Sequence, residues 1–498
     1  MNIKQRTDQL ITTVQCKIVR RLTFTIFFVI LFNANTRVNA QELMHKGIDE
    51  ECQEQSTCQL FSQNLVSHKQ QIRFFEDSVA FIEFNQRLDL IKLNHQLSEL
   101  SLDKLDQRQL VQNQTRLLNK SSLAPYLDKL HKRLSSKQIV YFKPVPISNG
   151  VLIKYQPRYK ADVKAIFEHP PSFNNQPNAR LGLSALANLP LSKQDIPHDN
   201  SFAHKQIAYK QNPIAHHSKL TIALVDSGVT TKHQELSHLD SLQQFNPKDE
   251  TFELKDSGFG HGTGVFSLMA SSNKFQRDIG TLPTANYLSC NGLPSGSYNY
   301  AWVTLCFNWL LEQPRVDLIV NSWSQPTSNC NDELLYSLRV LWLANSIPVF
   351  AAGNFGLDHR KSRDPVNFAL FDDIPLLTVG ALGKNNQPLP QSSAGYNVCG
   401  NQVRSPTVIA PGQDLLVASP LNPASYQARS GTSYAVTYAA TALAILVDKF
   451  PNTSHKEIIE ALTNTSKNME KNKRTIRVNI SRAIQRLKQH QIVDSQNQ

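Results

Sequence analysis

Two textures of hydrophobic and polar positions divide the chain. Beyond residue 219, short and nearly continuous apolar runs occupy 220–225, 286–289, 317–321, 348–352 and 375–379. Helix-period stretches lie between some of them, at 265–270 and 300–311. Apolar runs of strand length, bounded by helices, predict a largely parallel sheet covered on both faces. In such a sheet the functional groups gather at the carboxyl ends of the strands.

Upstream the pattern differs. Phe81, Phe84, Leu88 and Ile91, then Leu93, Leu97 and Leu100, recur at helical spacing, so residues 41–135 read as a helical amino-terminal region. Residues 138–142 and 150–155 read as strands and 161–169 as a short helix stopped by Pro170 and Pro171. Together they make an α+β segment over 136–173. The stretch 174–213, rich in Asn, Pro, His and Lys, reads as an exposed linker. A sheet-containing domain then spans 214–485, and 486–498 is a polar tail.

The amino terminus adds a destination. Lys4, Arg6, Lys17, Arg20 and Arg21 precede an apolar run at 22–32, and Val38 and Ala40 supply small or modest residues at a cleavage site. This reads as a secretory signal over 1–40. Its apolar run of 11 residues falls short of the roughly 20 that a membrane span needs. An exported protein, extracellular or periplasmic, without a membrane span in the mature chain is the expectation. Seven cysteines suit that compartment. Cys16 leaves with the signal, and the other six allow fifteen pairings that sequence cannot choose among. Cys52 and Cys58 are close enough to bridge locally, while Cys306, inside an apolar helical pattern, reads as well as a buried thiol.

The formal net charge of +12 over 498 residues raises the question of nucleic acid. The basic residues are scattered, however, and their densest group, Lys467, Lys471, Lys473, Arg474 and Arg477, carries no nucleic-acid motif. No nucleic-acid partner is expected. No His/Cys metal spacing occurs either.

The chemistry lies in three short segments: Leu224-Val225-Asp226-Ser227-Gly228, Gly260-His261-Gly262-Thr263 and Ser430-Gly431-Thr432-Ser433-Tyr434. Asp226 ends a strand, His261 opens a helix between glycines, and Ser433 stands at a helix amino terminus. Singly, they would be a turn, a capping residue and an N-cap. Together they supply what acyl transfer by a hydroxyl requires: a nucleophile, a base, and a carboxylate to orient the base. All three segments, with their flanks, resemble the subtilisin-like (S8) serine peptidases, whose chain order is likewise Asp, His, Ser. The resemblance covers roughly residues 220–483.

That resemblance implies a subtilisin-like three-layer α/β fold with a central, mostly parallel sheet, preceded by a helical and α+β pro-region. It implies Asp226, His261 and Ser433 as catalytic residues and Asn354, in Phe350-Ala351-Ala352-Gly353-Asn354, as the oxyanion-hole amide. Ser322, Trp323 and Ser324 on one side, and Ala352 and Gly353 on the other, match the edges that bind a protein or peptide substrate as an extended strand. The α+β segment at 136–173 looks like the second half of an inhibitory propeptide, making the pro-region an inhibitor of its own enzyme. No cofactor is implied for the chemistry. Glu235 stands where an acid often ligates structural calcium, but one oxygen donor makes no site.

The chain departs from the family at several points. Gly264-Val265-Phe266-Ser267 replaces the usual His-Val-Ala-Gly, Thr437 an expected Pro, Tyr434 an expected Met, and Ser324 a usual Gly. None removes a chemical group. The expectation is a serine endopeptidase made as an exported precursor. A narrow processing peptidase and a non-catalytic peptide-binding scaffold are the alternatives.

Overall fold

The computed structural model describes residues 65–67, 70–75, 78–100, 102–167, 196–209, 219–257, 260–296, 298–326, 333–356, 363–364, 375–396, 404–464 and 476–496. The expected signal at 1–40, Cys52, Cys58, Cys330 and Cys399, and most of the 174–213 stretch, fall outside them.

The amino-terminal part contains β1 (Gln71–Phe75), β2 (Val79–Glu83), α1 (Leu90–Glu99), α2 (Lys104–Leu123), α3 (Leu127–Ser135), β3 (Ile139–Val145), β4 (Gly150–Tyr155) and α4 (Lys160–Ile166). The strands form an antiparallel sheet in the order β1-β2-β4-β3. Here the helical reading of 41–135 needs correcting. Its first apolar position, Phe81, lies on β2, whose five residues are all buried. Val79-Ala80-Phe81-Ile82-Glu83 pairs on both edges, with β1 and β4, so it is a central strand covered on two faces. The spacing of Phe81, Phe84 and Leu88 fits a helix only because short apolar runs fit either period. The α+β unit therefore begins near residue 71 and not at 136. Helical spacing holds from α1 onward, where Leu93 and Leu97 are buried while Ile91 and Leu100 are exposed.

Beyond it come α5 (Ser201–Gln206), β5 (Thr221–Asp226), β6 (Gln243–Phe245), α6 (His261–Ala270), β7 (Asn286–Asn291), α7 (Tyr300–Glu312), β8 (Leu318–Asn321), α8 (Glu333–Leu343), β9 (Ile347–Ala351), β10 (Leu377–Leu382), β11 (Val408–Pro411), β12 (Leu415–Ala418), β13 (Tyr426–Arg429), α9 (Thr432–Lys449), α10 (His455–Asn464) and α11 (Ile480–Gln496). A seven-stranded sheet runs β11-β10-β9-β8-β5-β7-β6, and every neighbouring pair is parallel. This is the expected α/β architecture. Strands such as β8, β9 and β10 are buried along their whole length, which is why they read as unbroken apolar runs.

Two differences from the sequence reading follow from packing. Within the expected linker, α5 puts Ala203 and Ile207 into the core of the large sheet, so that stretch is not exposed throughout. Cys306, read as a candidate buried thiol, is bonded to Cys290, joining α7 to β7.

The amino-terminal part rests on α7 and α8. Tyr300 donates through its hydroxyl to the fully buried Glu83 (2.9 Å), which also accepts from Arg73 Nη1 (2.7 Å). The Leu88 N–H donates to the Tyr336 hydroxyl at 3.1 Å, and the Arg87 guanidinium lies over the Tyr336 ring. Arg108, on α2, is buried where α7 and α8 end. It donates to the carbonyls of Leu310 (2.5 Å) and Leu311 (3.2 Å) in the last turn of α7, of Gln313 (2.9 Å) just after it, and of Ala344 (2.8 Å) after α8. A cation at two helix carboxyl ends satisfies carbonyls with no intrahelical partner and complements both dipoles. Burial lowers its pKa to about 10, so it stays charged at neutral pH. Gln112 Nε2 also donates to the Leu311 (2.6 Å) and Gln313 (3.2 Å) carbonyls, so Arg108→Met takes the donor from the Ala344 carbonyl above all and is expected to cost about 2–4 kcal/mol of unfolding free energy, read as a lower denaturant midpoint. A midpoint unchanged within error would show that the carbonyls find other partners.

Candidate active site

Each expected chemical group sits at the carboxyl edge of the parallel sheet or at a helix start beside it. Asp226 is the last residue of β5 and is completely buried. His261 is the first residue of α6, and its Nδ1 lies 2.8 Å from Asp226 Oδ1. That approach requires bare backbone: a Cβ on Gly262 would stand 2.1 Å from the Gly228 carbonyl oxygen. The same Asp226 oxygen accepts from the Ser227 N–H (2.6 Å). With Nδ1–H donated to a carboxylate, Nε2 of the neutral ring is left as the proton acceptor.

Ser433 is the second residue of α9, where first-turn N–H groups have no intrahelical partner. The residue before that helix, Gly431, has φ +137°, a conformation side chains rarely adopt. Ser433 Oγ donates to the Ser322 carbonyl at 2.8 Å, so its proton is directed there and not at His261. Such contacts commonly rearrange when substrate binds.

Asn354 follows β9. Its Oδ1 accepts from the Thr432 N–H (2.9 Å) and from Thr432 Oγ1 (3.1 Å), which orients the amide and leaves its NH₂ as the donor. A preset N–H donor beside a nucleophile is what a developing oxyanion requires.

The residues expected to form the substrate edges follow β8 and β9. Ser322 is fully buried, and its hydroxyl donates to Asp226 Oδ2. Trp323 is buried between Tyr298 (5.5 Å) and Phe350 (5.4 Å). Ala352 is buried, and its N–H donates to the Val379 carbonyl (2.9 Å). Ser324 reaches across the gap between the β8 and β9 ends: its Oγ would lie 2.7 Å from a Cβ placed on Gly353.

The departures are absorbed by packing. Phe266 is buried edge-on to Tyr287 (4.9 Å), and Ser267 Oγ donates to the Gly264 carbonyl (2.7 Å) and accepts from the Ala418 N–H (3.0 Å). Thr437 stands inside the continuous helix α9 and donates to the Tyr434 carbonyl (2.7 Å). Tyr434 lies 5.8 Å from the His261 ring, and burial pushes its hydroxyl far above the ordinary tyrosine range. Glu235, the candidate calcium acid, accepts from Ser272 Oγ, the Asn273 N–H and the Tyr426 hydroxyl. Among the described residues no cluster of three or more His, Cys, Asp or Glu could hold a metal.

Burial lowers the pKa of His261, but the charge and hydrogen bond of Asp226, with a further contribution from Asp256, outweigh it, while Arg429 opposes them. The net shift is upward from the ordinary value of 6.5. Any rate that needs the neutral imidazole is therefore expected to fall at acid pH with a midpoint above 6.5, read from kcat/KM against pH. A rate flat to pH 5 in folded protein would exclude His261 as the base.

The sequence reading missed two groups beside the site. Nothing in the sequence marks the Ser322 hydroxyl as a partner of Asp226. Asp256 had a weak signal: an Asp shortly before a helix start is a capping pattern.

A family model described as the subtilase family matches residues 217–482. Subtilisin E of Bacillus subtilis is 28% identical over 252 residues, covering 50% of this chain and 61% of that protein. Subtilisin of Bacillus pumilus is 27% identical, covering 50% of this chain and 84% of its own. This chain thus spans about three fifths of the length of the first relative. Fervidolysin from Fervidobacterium pennivorans, a solved structure described as a keratinolytic enzyme related to subtilisin, aligns with a TM-score of 0.53 and 19% identity. It covers 72% of this chain and 59% of that one, a likeness of fold.

Proposed function

This chain belongs to the subtilase family, and on that premise we propose that it is a serine endopeptidase made as an exported precursor. Ser433 attacks the carbonyl of an extended peptide, and His261 takes the Oγ proton and returns it to the leaving amine. Asp226 holds the ring tautomer, and the Asn354 amide with the Ser433 N–H stabilises the tetrahedral oxyanion. Water then hydrolyses the acyl-enzyme by the same steps in reverse roles. The observation that carries the reading is the 2.8 Å bond from the His261 ring to buried Asp226, with Ser433 tied to the same Ser322 that serves Asp226.

The amino-terminal α+β unit is the inhibitor in this reading. It covers α7 and α8, and the polar stretch beyond α4 supplies a segment that can be cut. Among the described residues no helix is long and apolar enough to cross a membrane. The basic and apolar pattern over 1–40 supports export.

The test is purified full-length chain incubated alone. Cleavage between 174 and 213, followed by labelling with a fluorophosphonate probe and hydrolysis of a peptide substrate, is expected. Full activity in uncut protein would remove the inhibitory role. Failure to label at any stage would favour a peptide-binding scaffold.

A further inference from the structure

We propose that Asp256 is a positioning residue whose carboxylate ties the turn after Asp226 to the start of the helix that carries His261. This deepens the serine-peptidase reading and rests on it.

The geometry is that of a cross-brace. Asp226 and His261 come from different elements, β5 and α6, 35 residues apart, and a 2.8 Å bond joins them. One bond between a strand end and a helix start leaves their relative orientation free to drift. Asp256 Oδ2 accepts from the Thr263 N–H (2.8 Å) and from Thr263 Oγ1 (2.6 Å), both in the first turn of α6. Its other oxygen accepts from Ser227 Oγ at 3.0 Å, on the residue after Asp226. Ser227 Oγ in turn accepts from the Gly262 N–H at 3.1 Å, on the residue after His261. A closed ring of bonds therefore passes through the chain neighbours of both groups.

The charge matters as well as the geometry. Gly260 at the head of α6 offers no side-chain cap, so a carboxylate on the Thr263 N–H supplies both the missing cap and an anion at the positive helix end. The charged and titratable groups facing His261 are Asp226 from β5, Asp256 from the loop before α6, Arg429 from β13 and Tyr434 from α9. Removing Asp256 removes one of the two anions that favour the imidazolium.

The test compares Asp256→Asn, which keeps size and one acceptor but loses the charge, with Ser227→Ala, which deletes one strut and no charge. In Asp256→Asn, kcat is expected to fall about 10- to 100-fold with KM within twofold, the size of effect that small misplacements of reacting groups produce. Its acid limb of kcat/KM moves to lower pH. In Ser227→Ala, kcat falls less and the acid limb stays in place. Asp256→Asn with native kcat, or with its acid limb unmoved, overturns the proposal, and so does native kcat in Ser227→Ala should the first variant not fold. Wild-type protein that neither labels nor hydrolyses peptide defeats the underlying peptidase reading. Active wild type beside an unaffected Asp256→Asn defeats only the brace.

Discussion

Ser433→Ala is expected to abolish fluorophosphonate labelling and to lower peptide turnover by roughly 10⁶, with the fold intact. The hydroxyl is the only group in the proposed mechanism that forms a bond to the substrate carbonyl, so nothing else can replace it. Among the described residues its hydroxyl donates to the Ser322 carbonyl, so the stability change is small, about 1 kcal/mol. Thermal unfolding separates the two effects. The variant precursor should also remain full length when no other protease is present, while the wild type is cut. Turnover within about 100-fold of wild type would mean that another group is the nucleophile.

Asp226→Asn is expected to lower kcat by about 10⁴ while KM changes little. The carboxylate accepts from His261 Nδ1, from the Ser227 N–H and, through its second oxygen, from Ser322 Oγ. An amide offers one acceptor and one donor in that place. Where the amide NH₂ faces His261, the imidazole can accept it only through an unprotonated Nδ1. The proton then sits on Nε2, which can no longer receive the one from Ser433. Nearly native kcat would show that the Asp226 pairing does not set the tautomer. A comparable rise in KM would point to a collapsed cleft, because the proposed substrate edges follow β8 and β9 and not β5.

Much of this was legible because the signals are local. A strand buried on both faces must be apolar nearly throughout, so the runs that became β5, β7, β8, β9 and β10 could be placed to within a few residues. Asp226, His261, Asn354 and Ser433 each stand beside small residues that permit close backbone approach, a requirement written in adjacent positions. What failed was local pattern without length. Val79–Glu83 is too short to distinguish a helical from a strand period, and its neighbours β1 and β4 decided the matter. The helix Ser201–Gln206 was hidden in polar sequence because Ala203 and, just after the helix, Ile207 are the fully buried apolar side chains it brings to the core.

The sequence by itself determined the chemical groups, their order, and the class of sheet that would carry them. Tertiary structure alone decided how the groups are held. Ser322 serves Asp226 with its hydroxyl and Ser433 with its carbonyl, across 96 and 111 residues. Cys306 finds Cys290, and Arg108 finds the ends of two helices more than 200 residues away. The physical reason is common to all of them. Periodicity and motifs report what one segment needs from its own backbone, whereas a hydrogen-bond partner or a disulfide is fixed only when separate segments are packed at known distances.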